Sequence, residues 1–99
     1  MTTLDHVTRV LRDHAEDFRR LGAEHMAVFG SVARGEAGAD SDVDLVVKVD
    51  ESRPVSLIEL IQMEQRAERL LGRKVDLCDY RGLKPALRRA FAEDGVRVF

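Results

Sequence analysis

The alternation of residues 42–49 constrains the fold of this chain more than any other feature. The segment reads Asp-Val-Asp-Leu-Val-Val-Lys-Val, so every odd-numbered position is apolar. Side chains of an extended strand alternate between two faces, so these positions form one apolar face. Asp42, Asp44, Val46 and Lys48 lie on the other. The pattern predicts a strand that packs one face on a core and carries two carboxylates on the opposite face.

Three further segments are typical of strands. The apolar run 25–29 ends at Gly30, which favours a buried strand that runs into a tight turn. In residues 74–78, Val75 and Leu77 fall on one face and Asp76 on the other. Residues 96–99, which follow a glycine, fit a terminal edge strand.

Helical spacing separates these strands. Residues 3–21 form an amphipathic pattern with Thr2 or Thr3 as cap and Gly22 as stop, and residues 31–35 fit a short helix. A third helix starts at Pro54 or Ser56, with a capping box to Glu59, and ends at Gly72. A last helix covers 85–92. The residues predicted to face inward on these two helices are Leu57, Leu60, Ile61, Ala67 and Leu71, and Ala86, Leu87, Ala90 and Phe91.

This order of elements predicts an α/β fold in which one sheet packs against helices. The 99 residues suit one domain, 1–99. A net charge of −2 gives no general attraction to nucleic acid, which makes nucleic acid an unlikely direct substrate. The apolar runs are too short to cross a membrane, the amino terminus does not read as a secretory signal, and the single Cys78 fits a reducing compartment. We therefore expect a cytoplasmic protein in which Cys78 is a small buried residue.

Residues 30–45 combine two features that favour phosphate chemistry. The Gly30-Ser31 turn opens a helix, so backbone N–H groups and a hydroxyl converge where an anion is favoured. Asp42 and Asp44 lie two apart on a strand and direct both carboxylates to one side. Either feature alone is weak, because most such turns only reverse the chain and acidic loops are usually solvated.

Asp76 lies on the polar face of another strand and would complete a three-carboxylate cluster. Two carboxylates about 4 Å apart repel by roughly 4 kcal/mol at an effective dielectric near 20, so the cluster implies a cation. Hard oxygen ligands suit Mg²⁺, which also binds substrate phosphates. Asp79 is a rival for the third position, but strand alternation makes it a strand-end or turn residue. The combination indicates phosphoryl-type transfer on a nucleotide.

These residues carry a resemblance to a known family. Gly-Ser, ten intervening residues and Asp-x-Asp resemble the signature of the DNA polymerase β-like nucleotidyltransferase superfamily. Residues 33–37 and 41–45, with the strand 74–77, are similar to its minimal nucleotidyltransferase (MNT) branch. The resemblance covers nearly the whole chain and implies the polymerase β-like fold, a single mixed β-sheet packed with helices.

The resemblance also implies roles for single residues. Gly30 and Ser31 would hold the β- and γ-phosphates of a nucleoside triphosphate, and Asp42 and Asp44 would ligate Mg²⁺. Asp76 would ligate a second, catalytic Mg²⁺ and help to deprotonate the acceptor hydroxyl. Arg34 would steady the triphosphate, or else form a salt bridge to Glu36 or Asp40.

MNT proteins of this size resemble the antitoxin half of HEPN/MNT toxin–antitoxin pairs. The resemblance implies an adenylyltransferase that transfers AMP from ATP to a tyrosine of a HEPN toxin. The chain leaves no room for an acceptor-binding domain, so a protein partner is expected. Two alternatives remain at this point: a non-catalytic antitoxin that neutralises its partner by occlusion, and a small-molecule nucleotidyltransferase.

Overall fold

The computed structural model describes residues 3–38 and 41–99. It contains five α-helices and four β-strands within that part of the chain. In chain order they are α1 (Leu4–Asp13), α2 (Ala15–Arg20), β1 (Ala23–Phe29), α3 (Gly30–Ala33), β2 (Val43–Val49), α4 (Leu57–Leu71), β3 (Val75–Asp79), α5 (Pro85–Asp94) and β4 (Val96–Arg97). A short 3-10 turn, Tyr80–Gly82, joins β3 to the segment before α5.

The four strands form one mixed sheet in the order β3-β2-β1-β4. Strand β1 is antiparallel to both β2 and β4, whereas β2 and β3 run parallel. Helix α4 makes the crossover between the parallel strands, as such a connection requires. The predicted fold class is confirmed.

The prediction of a single helix over residues 3–21 is wrong, because the helix is interrupted at His14. Its backbone leaves the helical region (φ −110°, ψ 19°), and its N–H donates to the Leu11 carbonyl at 3.2 Å. The His14 ring donates from Nδ1 to the Val10 carbonyl at 2.9 Å, which stabilises the break. The start of the helix follows the prediction, since the Thr3 hydroxyl accepts from the His6 N–H at 3.1 Å.

The main core lies between the sheet and helices α1, α2 and α4. The odd-numbered face of β2 points into it, and Leu45 and Val47 are fully buried. Phe18 of α2 stacks on Phe99 with ring centroids 6.3 Å apart, which closes the core at the carboxyl end. Burying side chains of this size contributes about 1.5–3 kcal/mol each, so this face supplies most of the stability of the fold.

The local signals of α4 are confirmed, but part of its predicted apolar stripe is wrong. Ser56 and Glu59 form the capping box, and Gly72 ends the helix in the left-handed conformation. Within α4, only Met63 and Ala67 are fully buried, where the helix meets α1 and β3. Leu57 and Ile61, in the first turns, are 70% and 47% exposed.

Helix α5 also differs from its prediction. Ala86 and Leu87 are exposed instead of facing inward, and none of the described residues 85–94 is fully buried. Only its second half packs on the sheet, where Phe91 meets the Phe29 ring at 6.5 Å and the Tyr80 ring at 5.9 Å. The sheet face below α5 therefore stays largely uncovered.

Within the described residues, the helices are too short or too polar to cross a lipid bilayer.

Candidate active site

The turn after β1 brings glycine and carboxylate chemistry together. Gly30 has a φ of +74°, a conformation that favours glycine, and it opens α3 by accepting a hydrogen bond from the Arg34 N–H at 3.1 Å. A Cβ at this position would collide with the Asp44 carboxylate of the neighbouring strand. The residue before it, Phe29, pairs with Asp44 in the sheet. The predicted Gly30-Ser31 turn and the predicted Asp-x-Asp pair are therefore in contact.

Asp44 and Asp76 lie level with each other on the two parallel strands. Their Cα atoms are partners in the register between β2 and β3, and neighbouring strands are about 4.8 Å apart. Both side chains leave the sheet on the face opposite the main core. Asp44 is half-buried and Asp76 is exposed, so the pair lies at the boundary between protein and solvent.

Asp42 takes a different position. It is exposed and precedes β2, which begins at Val43 and not at Asp42 as the alternation indicated. Its carboxylate is still close enough to influence Asp44. Asp42 is therefore the member of the trio that a loop, and not a strand, places at the site.

The pKa of Asp44 lies above its ordinary value of 3.8. Burial is the main cause, because it disfavours the charged carboxylate. The negative charges of Asp76 and then of Asp42 raise the pKa further, whereas Arg34 lowers it. The three carboxylates thus interact at a point where a cation would relieve their repulsion.

The side chains do not form a closed metal-binding set as they stand. Among residues 3–38 and 41–99, no three His, Cys, Asp or Glu side chains are close enough to hold a metal ion together. The donors nevertheless fit Mg²⁺, because all three are carboxylates and Mg²⁺ requires few protein ligands beside water and phosphate. The shared register and the raised Asp44 pKa favour such a role for these residues.

Arg34 forms a salt bridge to Glu36, which the sequence analysis gave as the alternative to triphosphate binding. Its Nε lies 3.1 Å from Glu36 Oε2, and its Nη1 lies 3.7 Å from Asp94 Oδ2 of α5. The other proposed partner, Asp40, lies outside the described residues. The charge of Arg34 also lowers the pKa of Asp44, so it acts on the site as well as on the surface carboxylates.

Asp79 is a strand-end residue, as strand alternation predicted. It ends β3, and its carboxylate accepts from the Arg81 N–H at 3.0 Å and pairs with the Arg81 guanidinium at 2.7 Å. By alternation along β3 it faces away from Asp76. These contacts leave Asp76 as the β3 carboxylate on the face of Asp44.

Cys78 lies next to Asp76 on the same face, half-buried and not fully buried as predicted. Burial, followed by the charges of Asp76, Asp44 and Glu64, raises the pKa of its thiol. The thiol therefore stays protonated at neutral pH and is a poor nucleophile.

Three residues that support the site were missed by sequence reasoning. Arg73 donates to the Gly38 carbonyl at 3.0 Å and to the Ser41 carbonyl at 2.6 Å, so it holds the ends of the loop before Asp42. Glu64 and Glu68 of α4 accept hydrogen bonds from the backbone of β3. No local pattern reports such contacts, because each joins segments that only the fold brings together.

A groove of about 420 Å³ lies on the same sheet face but away from the carboxylates. Val46, Lys48, Tyr80 and Phe91 are among its lining residues, and none of the described site residues is. The carboxylates themselves lie on an open surface. An acceptor can therefore approach the exposed Asp76 directly from solvent.

Comparison with known proteins agrees with this geometry. Residues 11–98 match the model of the nucleotidyltransferase domain family. The chain is 38% identical to the protein adenylyltransferase MntA of Thermococcus cleftensis, over 99% of this chain and 98% of that protein.

Two solved structures share the fold. A candidate minimal nucleotidyltransferase is 38% identical and superposes with a TM-score of 0.79, covering 96% of this chain and 95% of that chain. An MNT antitoxin in complex with a tri-AMPylated HEPN toxin of Shewanella oneidensis superposes with a TM-score of 0.66 at 18% identity. It covers 93% of this chain and 71% of that chain, and at this identity it supports the fold alone.

The contact of Gly30 with Asp44, the register of Asp76 with Asp44, and a relative of nearly the same length all agree. The chain belongs to the nucleotidyltransferase domain family and, within it, to the protein adenylyltransferases, enzymes that act on a nucleotide substrate.

Proposed function

We propose that this chain is the antitoxin of a toxin–antitoxin pair and transfers AMP from ATP to a tyrosine hydroxyl of a partner HEPN toxin. The observation that carries the proposal is the contact between Gly30 and Asp44, level with Asp76, on an open surface. It juxtaposes a turn suited to phosphate with carboxylates suited to a divalent cation. We further propose that residues 1–99 form one domain and that the reaction takes place in the cytoplasm.

Gly30, Ser31 and Arg34 are the residues proposed to bind the triphosphate. The left-handed Gly30 lets the backbone turn without a side chain, so phosphate oxygens can approach the N–H groups at the start of α3. Arg34 lies one helical turn further and carries a permanent positive charge. Binding a triphosphate would require Arg34 to exchange its exposed contacts with Glu36 and Asp94, which cost little to break.

Asp42, Asp44 and Asp76 are proposed to hold Mg²⁺, with two ions bound in the reacting complex. When bound, Mg²⁺ would neutralise charge on the triphosphate and lower the pKa of the acceptor hydroxyl. Of the two aspartates on the strands, Asp76 is the more exposed, which supports the proposal that it meets the acceptor and takes up its proton. We propose that Asp44, which is half-buried and lies against Gly30, faces the triphosphate.

The choice of acceptor rests on two observations. Asp76 is exposed, so a hydroxyl on a folded protein can reach it without entering a closed pocket. One structural neighbour is described as an MNT antitoxin bound to an AMPylated HEPN toxin, which gives the proposed class of partner.

Intact-mass measurement tests the proposal. The chain is mixed with the product of the neighbouring gene, the proposed toxin, with ATP and MgCl₂, and this partner is expected to gain the mass of one or more AMP groups. Asp76→Asn should lower the rate by about 10²–10⁴-fold, because it removes a metal ligand and proton acceptor. Asp79→Asn is the matched control on the same strand and should retain the transfer rate within about threefold.

Two results would contradict the proposal. A tight complex with no gain in mass would indicate an antitoxin that acts by occlusion. Undiminished transfer by Asp76→Asn would remove the proposed role of the carboxylates, even if the partner is modified.

A further inference from the structure

The strand that carries Asp76 is held on its outer side by two glutamates of α4. Glu68 Oε2 accepts a hydrogen bond from the Val75 N–H, and Glu64 Oε2 accepts one from the Leu77 N–H, both at 3.1 Å. The two glutamates are four residues apart and therefore lie on one face of the helix. Each is half-buried at the edge of the sheet.

These contacts bracket Asp76. Backbone N–H groups along a strand point alternately to its two sides, so the N–H groups of Val75 and Leu77 point away from β2 and that of Asp76 points toward it. Strand β3 lies at one end of the sheet order and pairs with β2 alone among the described strands. Its outer side is therefore positioned by Glu64 and Glu68.

We propose that Glu64 and Glu68 are positioning residues that fix the height and tilt of β3, and through it the Asp76 carboxylate relative to Asp44. The proposal rests on the function proposed above, since it assumes that Asp76 acts with Asp44 on one cation. Neither glutamate touches substrate or metal in this scheme. Each acts only through the backbone on either side of Asp76.

Electrostatics argue against a merely incidental contact. An N–H group at a sheet edge can bond to water, so stability alone does not require a carboxylate there. The charge of Glu64 raises the pKa of Cys78, the neighbour of Asp76 on the same face, so this contact adds negative charge beside the site. A carboxylate has an advantage where geometry matters, because charge-assisted hydrogen bonds to backbone N–H groups are shorter and stronger than neutral ones.

Replacement of both glutamates tests the proposal. Glu64→Ala/Glu68→Ala should lower kcat for AMP transfer by about 10- to 100-fold, the usual effect of removing the partners that orient a ligand. The KM for ATP should stay within about threefold, because the residues proposed to bind the triphosphate lie on α3, directly after it and on β2, not on β3. Glu64→Gln/Glu68→Gln retains an acceptor oxygen at each position and should keep at least about half of the wild-type kcat. Gln65→Ala, exposed on the same helix, is the matched control and should be neutral.

Amide hydrogen exchange gives a readout that is independent of activity. In the alanine variant, the Val75 and Leu77 N–H groups should exchange about tenfold faster, as expected for the loss of a hydrogen bond worth about 1.4 kcal/mol. Amides of β1 should exchange at the wild-type rate, which shows that the fold persists. In the glutamine variant these two N–H groups should exchange at rates between those of the wild type and the alanine variant, because a neutral acceptor gives a weaker hydrogen bond than a carboxylate. If the double alanine variant does not fold, Glu68→Ala alone is measured at Val75.

The possible failures can be separated. Wild-type kcat in the alanine variant, or an equal loss in the alanine and glutamine variants, overturns the positioning role while leaving AMP transfer in place. Absence of transfer by the wild-type chain instead contradicts the proposed function. In that case unchanged exchange at Val75 and Leu77 in the alanine variant overturns the positioning role by itself.

Discussion

The two faces of the sheet differ in burial and in charge. The face toward α1, α2 and α4 is closed, and its residues on β2 are fully buried. The face toward α5 carries Asp44 and Asp76 and only a small apolar cluster centred on Phe29, Val46 and Leu83. One strand, β2, contributes to both faces through alternate residues.

The difference separates stability from chemistry along a single strand. Apolar burial on the closed face offsets the conformational entropy of folding. The open face carries several negative charges close together and a left-handed glycine. These features lower the stability of the fold, and their role is in ligand binding. Substitutions on one face should therefore change the free energy of unfolding, and substitutions on the other should change activity.

The neighbouring valines of β2 compare the stability contributions of the two faces directly. Val47→Ala removes methyl groups from the closed core and should lower the free energy of unfolding by about 2–3 kcal/mol, or the Tm by roughly 10–20 °C. Val46→Ala makes the same chemical change on the open face, where the cluster is small and can relax. It should cost about 1 kcal/mol. Urea unfolding measures both, and equal losses would show that the two faces contribute alike.

Two left-handed glycines test how far the open face constrains the backbone. Gly30 and Gly35 have nearly the same φ, +74° and +73°. Alanine at either position should cost about 1–2 kcal/mol of backbone strain. At Gly30 the new Cβ also meets the Asp44 carboxylate, whereas at Gly35 it would meet no described atom within 4 Å.

Gly30→Ala should therefore cost about 1 kcal/mol more than Gly35→Ala in thermal unfolding. It should also lower AMP transfer by about 10²-fold, with little effect from the control. Equal effects of the two substitutions on both measurements would mean that the Gly30–Asp44 contact has no special role.

Removal of the Asp44 carboxylate should stabilise the fold, by less than the glycine substitutions destabilise it. Because burial and neighbouring charges raise the pKa of Asp44, the folded chain binds more protons than the unfolded chain between the two pKa values. The contribution of Asp44 to the free energy of unfolding then falls as the pH rises through this window. Without divalent metal at pH 8, Asp44→Asn should be more stable than wild type by about 1 kcal/mol. The difference should vanish as the pH approaches 3.8.

Asp79, on the adjacent strand, is a control because its pKa is shifted in the direction opposite to that of Asp44. Burial raises its pKa, but hydrogen bonds from Arg81 outweigh burial and leave the pKa below 3.8. Its stabilising contribution is present at neutral pH and is lost as the pH falls. Asp79→Asn should therefore destabilise the chain at pH 8, by urea unfolding, and the loss should disappear in acid. A stabilising Asp79→Asn would contradict this view of the two carboxylates.

Features with a short-range cause could be predicted from the sequence. The capping box of Ser56 and Glu59, the left-handed Gly72 and the alternation of β2 all follow from neighbouring residues, and all three are confirmed. The register of Asp44 against Asp76 comes from the structure, because two strand patterns alone do not show which strands are neighbours or how they are aligned. The roles of these aspartates as metal ligands stay a prediction.

Features that depend on distant segments could not be predicted. The Arg73 contacts to the Gly38 and Ser41 carbonyls join residues about 30 positions apart in the sequence. The break at His14 was missed because the apolar spacing of residues 4–21 continues across it. Periodicity identified the apolar positions of α4 but not which of them the sheet and α1 would cover.

The exposed start of α4 gives the smallest expected effect. Ile58 and Met63 belong to the same helix, yet Ile58 is 67% exposed and Met63 is fully buried against the closed face. Ile58→Gln should change the free energy of unfolding by less than about 0.5 kcal/mol, because little apolar surface leaves contact. Met63→Ala should cost about 2–5 kcal/mol. A cost above about 1 kcal/mol for Ile58→Gln, in the isolated chain by urea unfolding, would mean that the closed face extends to the first turns of α4.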